Sequence, residues 1–156
     1  MSTVSERLAE LGIDLPEVVP PVASYIPAKA FGDLVHTAGQ LPFVGGQLPA
    51  TGKVGEGEGR VAPEDAATYA RQSALNAVAA AAAAVGGVDR LTGVLKVTGF
   101  VSSVPEFTGQ PGVINGASNV LAEIFGESGR HARSAVGVPV LPLDSPVEVE
   151  VVFTVA

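Results

Sequence analysis

Apolar residues recur along this chain with two periods, and the switches between them mark out its elements. After Pro63, the positions Ala67, Ala70, Ala74, Val78, Ala81 and Val85 repeat every three or four residues, as one face of a helix does. Pro63 suits a first helical position, Glu64 and Asp65 suit the positive end of the helix dipole, and Gly86-Gly87 ends the run. Side chains this small let a helix settle close against a sheet. A loop bracketed by Pro105 and Pro111 leads to a second helix, with Val113, Ala117, Leu121 and Ile124 inward and Gly126 as its stop. Alternating or β-rich runs predict strands over Ser24–Ala30, Leu34–Ala38, Val94–Ser102, Ser134–Val140 and Pro146–Val155. In the third of these, Leu95, Val97, Gly99 and Val101 share a face. In the last, Val147, Val149, Val151, Phe153 and Val155 line the inner face, and Glu148 and Glu150 point the other way.

The predicted order is β-β-α-β-α-β-β, an α+β fold in which two helices cover one face of a mixed sheet. Val136, Val138 and Val152 leave the other face too apolar for water, which predicts an oligomer. Phe31-Gly32-Asp33 reads as a turn between the first two strands, and Gly39-Gln40-Leu41-Pro42 ends the second. Residues 1–20 read as an extension laid on a single domain of residues 21–156. Within it, Thr3-Val4-Ser5-Glu6 has capping-box spacing and opens a helix ending near Gly12, before a connector broken by Pro16, Pro20 and Pro21.

Composition narrows the chemistry. The 156 residues are 47% hydrophobic but only 5% aromatic, without Trp, so small and β-branched side chains must pack the core. Sixteen acids against nine Lys and Arg give a net charge of -7, with no basic cluster to neutralise nucleic-acid phosphates. With no Cys there is no disulfide, thiolate nucleophile or Cys-based zinc site. The N-terminus lacks a signal-peptide pattern. The longest apolar run, Ala77 to Val85, falls short of the roughly twenty residues that span a bilayer. A cytoplasmic protein without membrane or nucleic-acid partners is expected.

Several motifs fail on inspection. The Gly-rich stretch before Arg60 has Gln47 and Val54 where a Walker A loop needs Gly and Ser or Thr, and Glu56 and Glu58 would repel a pyrophosphate. It reads as a mobile loop. His36 and His131 are the only histidines, too few for a metal site without convergent carboxylates, and no Gly-x-Ser-x-Gly or evident Ser–His–acid set is present. No cofactor and no metal are expected. The segment Gly129–Val136 differs, because Arg130 and Arg133 stand at the mouth of a strand directly after a helix and its Gly stop. A guanidinium there can hold a carboxylate through two parallel hydrogen bonds. If the last two strands form a hairpin, Glu148 or Glu150 could instead reach an Arg, and spacing alone also fits a structural ion pair on a sheet edge.

Ala132-Arg133-Ser134-Ala135-Val136, Leu141-Pro142 and Val147-Glu148-Val149-Glu150 together resemble the C-terminal signature of the YjgF/YER057c/UK114 (Rid) family. Ser24-Tyr25, Thr37-Ala38-Gly39-Gln40-Leu41-Pro42 and Ile114-Asn115 are similar to that family's upstream motifs, in order from about Val22 to Phe153. The chain looks nearest to a bacterial YjgF-like branch. The resemblance implies a chorismate-mutase-like fold, a homotrimer with clefts between neighbours, and hydrolysis of reactive 2-imino or enamino acids to 2-keto acids and ammonia without a cofactor. It also implies that Arg133 clamps the substrate carboxylate, that Glu148 orients or activates water, and that Tyr25, Gly39, Asn115 and Ala135 line the cleft. Ala38 stands where the family has Ser. That departure keeps a second reading open, a non-catalytic binder or sensor of small carboxylates. Ribonuclease, an old label in this family, is disfavoured by the charge.

Overall fold

A computed structural model describes residues 1–156 except Val19 and Val22, so the upstream limit of the family likeness at Val22 lies outside the described residues. The elements are α1 (Val4–Glu10), β1 (Ala28–Phe31), β2 (Leu34–Thr37), α2 (Pro63–Val85), β3 (Leu91–Ser102), α3 (Gln110–Phe125), β4 (Ala132–Val138) and β5 (Val147–Val155). Among the described residues, three α-helices and five strands give an α+β fold with one mixed sheet, ordered β1-β2-β5-β3-β4. The β3–β4 pair is parallel and the other pairs are antiparallel. A parallel neighbour needs a crossover, and α3 supplies it.

This topology removes the condition on which a contact between Glu148 or Glu150 and an Arg depended, a hairpin of the last two strands. β3 lies between β4 and β5 and pairs with both, so Arg133 and Glu148 are not cross-strand neighbours. The first strand also begins later than its apolar pattern suggested. Pro27 has no N–H to give a ladder, and its carbonyl accepts from Ala38 N at 2.8 Å just before pairing starts at Ala28. Leu95 turns outward, half exposed, because register shifts in the β3–β5 ladder leave Val94 and Val97 as the buried positions. In α3, Pro111 occupies the first turn rather than ending the loop before it.

α2 is buried on every side from Ser73 to Ala82, because alanines let the sheet and α3 approach it together. The tightest approach is to α3, where a Cβ on Gly116 would overlap the Ala67 carbonyl. Val97, Val101, Val147, Val149, Val151 and Phe153 complete the core on this side of the sheet. The Gly-rich loop expected to be mobile is tied down instead. Val54 is fully buried and bridges both Val61 and Ser103. α1 has the capping box read from Thr3 and Glu6, with Glu6 N donating to Thr3 Oγ1 at 3.2 Å and Thr3 N to Glu6 Oε2 at 2.8 Å. Leu8 enters the core, Arg7 Nε donates to the Glu123 carbonyl of α3 at 2.9 Å, and Ser5 donates twice to Asp89. Those two bonds hold the Asp89 carboxyl below its usual range. No helix among the described residues is long and apolar enough to cross a membrane.

Candidate functional site

The residues singled out in the sequence fall into two groups on opposite sides of the sheet. Arg133 pairs in register with Val97, a fully buried position under the helices, so its side chain faces α3. There Nη1 donates to Asn115 Oδ1 at 2.8 Å and to Ser118 Oγ at 3.2 Å, and Nη2 donates to the Pro111 carbonyl at 3.3 Å. All three acceptors are neutral. Among the described residues Arg133 has no acidic partner, and no acceptor meets its Nε–H. Arg130, by contrast, is exposed and pairs with Glu127 at 3.3 Å. The structural ion pair left open by the spacing therefore belongs to Arg130 and not to Arg133. Ala135 follows on the same side of β4, beside Gly99, with Ile114 packed over that pair's inner face.

Glu148 alternates with the fully buried Val147 and Val149, so it faces away from the helices. It lies in a cleft of about 500 Å³ whose walls include Tyr25, Ala38, Gly39, Phe43 and Pro142, with Pro20 and Pro21 at one side. A bulge shapes this wall. Between the pairs His36–Val152 and Gln40–Val149, β2 spends one more residue than β5, and Thr37 Oγ1 accepts the Val151 N–H at 3.0 Å. The extra residue brings Gly39 against Glu148 so closely that a Cβ there would overlap the Glu148 carboxylate. Burial pushes the Glu148 carboxyl above the ordinary glutamate range, and the like charge of Glu150 adds to the shift.

Asn76 was not flagged by sequence reasoning, since a polar residue inside an Ala-rich helix carries no motif. It is 2% exposed and donates to the Leu41 and Phe43 carbonyls at 3.0 and 3.1 Å, pinning the cleft floor to α2. Ser118 carries no motif either, and the sequence weighs His131 only as a metal ligand. Their ring Nε2 and hydroxyl lie 2.9 Å apart, a Ser–His contact that chain spacing alone did not suggest. His36 stays on the open face opposite Lys29 and Val152. Among the described residues no three His, Asp or Glu side chains converge as metal ligands would.

The Arg133 group and the Glu148 group are separated within one chain. Glu148 pairs with Phe100 and Arg133 with Val97, on either flank of β3, which puts their backbones on the order of 14 Å apart. They also face opposite sides of the sheet.

The fold and the site define an α+β protein with one helix-covered mixed sheet, an unneutralised arginine on its edge strand and an acid-bearing cleft on the far side. Residues 5–155 match the family model described as "YjgF/chorismate_mutase-like, putative endoribonuclease", and the chain belongs to that family. It is 42% identical over 152 residues to Protein TCP17 of Trypanosoma cruzi, covering 94% of this chain and 91% of that one. Among solved structures, the protein Atu1372 from Agrobacterium tumefaciens superposes with a TM-score of 0.86 at 40% identity, over 98% of this chain and 92% of the other. A "putative endoribonuclease" from Shewanella oneidensis MR-1 gives 0.91 at 31% identity, over 99% and 100%.

Proposed function

We propose that this protein is a cofactor-independent deaminase of reactive 2-imino and enamino acids, working in clefts between the copies of a cytoplasmic homotrimer. The observation that carries the reading is the Arg133 guanidinium, half-buried, held by neutral acceptors, and left with its charge and its Nε edge unspent. A carboxylate is the natural occupant, since a guanidinium edge matches its two oxygens. Because Arg133 and Glu148 face opposite sides of one sheet, joint action on one ligand requires Arg133 of one copy and Glu148 of a neighbour. The exposed Val136, with Val152 on the same open face, favours such an assembly.

In the reaction, Glu148 takes a proton from water as its oxygen bonds to the imine carbon. The C=N π electrons move to nitrogen, which takes that proton from Glu148, giving a carbinolamine. The hydroxyl proton then passes by way of Glu148 to the amine nitrogen as C=O reforms and the C–N bond breaks, releasing a 2-keto acid and ammonia. An imine carbon is already electrophilic, so placing water and holding the carboxylate suffices. A carboxylate whose proton affinity is raised by burial is a better base near neutrality than an exposed one. Tyr25 and Gly39 would shape the water side of the cleft, and Asn115 and Ala135 the carboxylate side.

The test couples the protein to a threonine or serine dehydratase and follows the semicarbazide-trapped imine. Wild type should lower the trapped product and Arg133→Ala should not. Equal trapping by the two proteins refutes the reading. Ala38 in the cleft wall favours one alternative, a non-catalytic 2-keto acid binder, for which calorimetry would give Arg133-dependent heat without turnover. Against the endoribonuclease label stands the excess of sixteen acids over nine Lys and Arg.

A further inference from the structure

Behind Arg133 lies a chain of hydrogen bonds with a single consistent direction. His131 Nδ1 is 2.6 Å from the Gly129 carbonyl, and His131 Nε2 is 2.9 Å from Ser118 Oγ. A carbonyl only accepts, so Nδ1 carries a proton. In the neutral ring Nε2 is then an acceptor, and the Ser118 hydroxyl must donate its one proton to it. That leaves the lone pairs of Ser118 Oγ turned toward Arg133 Nη1, which donates to them at 3.2 Å. Nη1 spends its other proton on Asn115 Oδ1 at 2.8 Å. With Nη1 on Ser118 and Asn115 and Nη2 on Pro111, Nε–H is the nitrogen donor of Arg133 that no acceptor among the described residues meets.

We infer that Ser118 and His131 are positioning residues that fix the direction in which Arg133 presents its unmet Nε–H side to a carboxylate. The inference rests on the carboxylate-receptor reading above and adds to it the residues that set the orientation of the receptor. Without the imidazole acceptor, the Ser118 proton is free to point at the guanidinium. Ser118 then ceases to hold Nη1, and the Nε–H side loses its fixed direction. Asn115 alone leaves the guanidinium free to swing about that one bond.

The two substitutions at His131 separate the parts of the chain. His131→Asn keeps a donor for the Gly129 carbonyl but removes the acceptor for Ser118, whereas His131→Gln keeps an acceptor near the Nε2 position. Calorimetry with 2-ketobutyrate and with its neutral amide provides the readout. Ser118→Ala and His131→Asn should each weaken 2-ketobutyrate about threefold to tenfold and leave the amide unchanged. Ser118→Thr and His131→Gln should recover most of the loss. The double variant Ser118→Ala/His131→Asn should bind like Ser118→Ala alone, because two links of one chain are not additive. Additive losses, equal losses for acid and amide, or wild-type affinity in both single variants would overturn the inference. If Arg133→Ala itself binds 2-ketobutyrate as wild type does, the receptor reading fails. If Arg133→Ala fails to bind while Ser118→Ala and His131→Asn bind normally, only the positioning role is lost.

Discussion

Arg133 and Glu148 are both half-buried charges on one sheet, and their surroundings differ in kind. Arg133 is surrounded by polar neighbours, with an amide, a hydroxyl and a carbonyl that direct it without cancelling its charge. Glu148 stands in a mostly apolar cleft, pressed against Gly39 and near another carboxylate, with no hydrogen-bond partner among the described residues. The first arrangement holds a charge ready for an anion to complete. The second makes a charge costly and so raises its affinity for a proton. The proposed receptor and the proposed base would need these opposite environments, and the two faces of the sheet differ in this way.

The comparison can be broken at several points. The largest effect is expected from Glu148→Gln, which removes the proposed base but leaves the proposed receptor intact. Turnover should fall by about a hundredfold or more while 2-ketobutyrate still binds, as rapid-mixing kinetics and calorimetry would reveal. Gly39→Ala pushes a methyl group into the Glu148 carboxylate, and because that side chain can swing aside the fold survives. Turnover should drop about tenfold to a hundredfold with little change in melting temperature. Co-expressing Arg133→Ala and Glu148→Gln chains, each inactive alone, should restore about a quarter of the wild-type rate if each cleft takes one group from each neighbour. No recovery in co-purified mixed oligomers would mean that the two regions do not share a ligand.

The smallest effect concerns stability. The folded state binds the Glu148 proton more tightly than the unfolded chain does, so the contribution of this group is fully present below the ordinary glutamate value of 4.5 and is lost as pH rises through the shifted value. Glu148→Gln should therefore melt slightly higher than wild type near neutral pH. Melting curves should converge as the pH falls through the ordinary range, and a gain that persists in acid would point to packing instead.

Much of this was legible in the chain. Helices α2 and α3 follow from small residues at helical spacing between Pro and Gly, and β5 follows from strict alternation, which also sends Glu148 to the face opposite Val147 and Val149. The pairing of strands was not legible, because a strand's pattern shows which face is buried but not which neighbour shares its ladder. Arg133 and Glu148 were readable through their motifs, whereas Asn76, Ser118 and His131 were not, since their partners lie at sequence separations without a signature.

Local periodicity and side-chain size thus determined the elements and, Leu95 apart, the buried faces read for them, and the motifs around Arg133 and Glu148 pointed to the family. Only the tertiary structure decided that β3 separates β4 from β5, that a bulge seats Gly39 on Glu148, and that Arg133 is held by neutral groups rather than by an acid. The reason is physical: burial is a property of one segment and its period, whereas register, close approach and the state of a charge are properties of pairs brought together from distant parts of the chain.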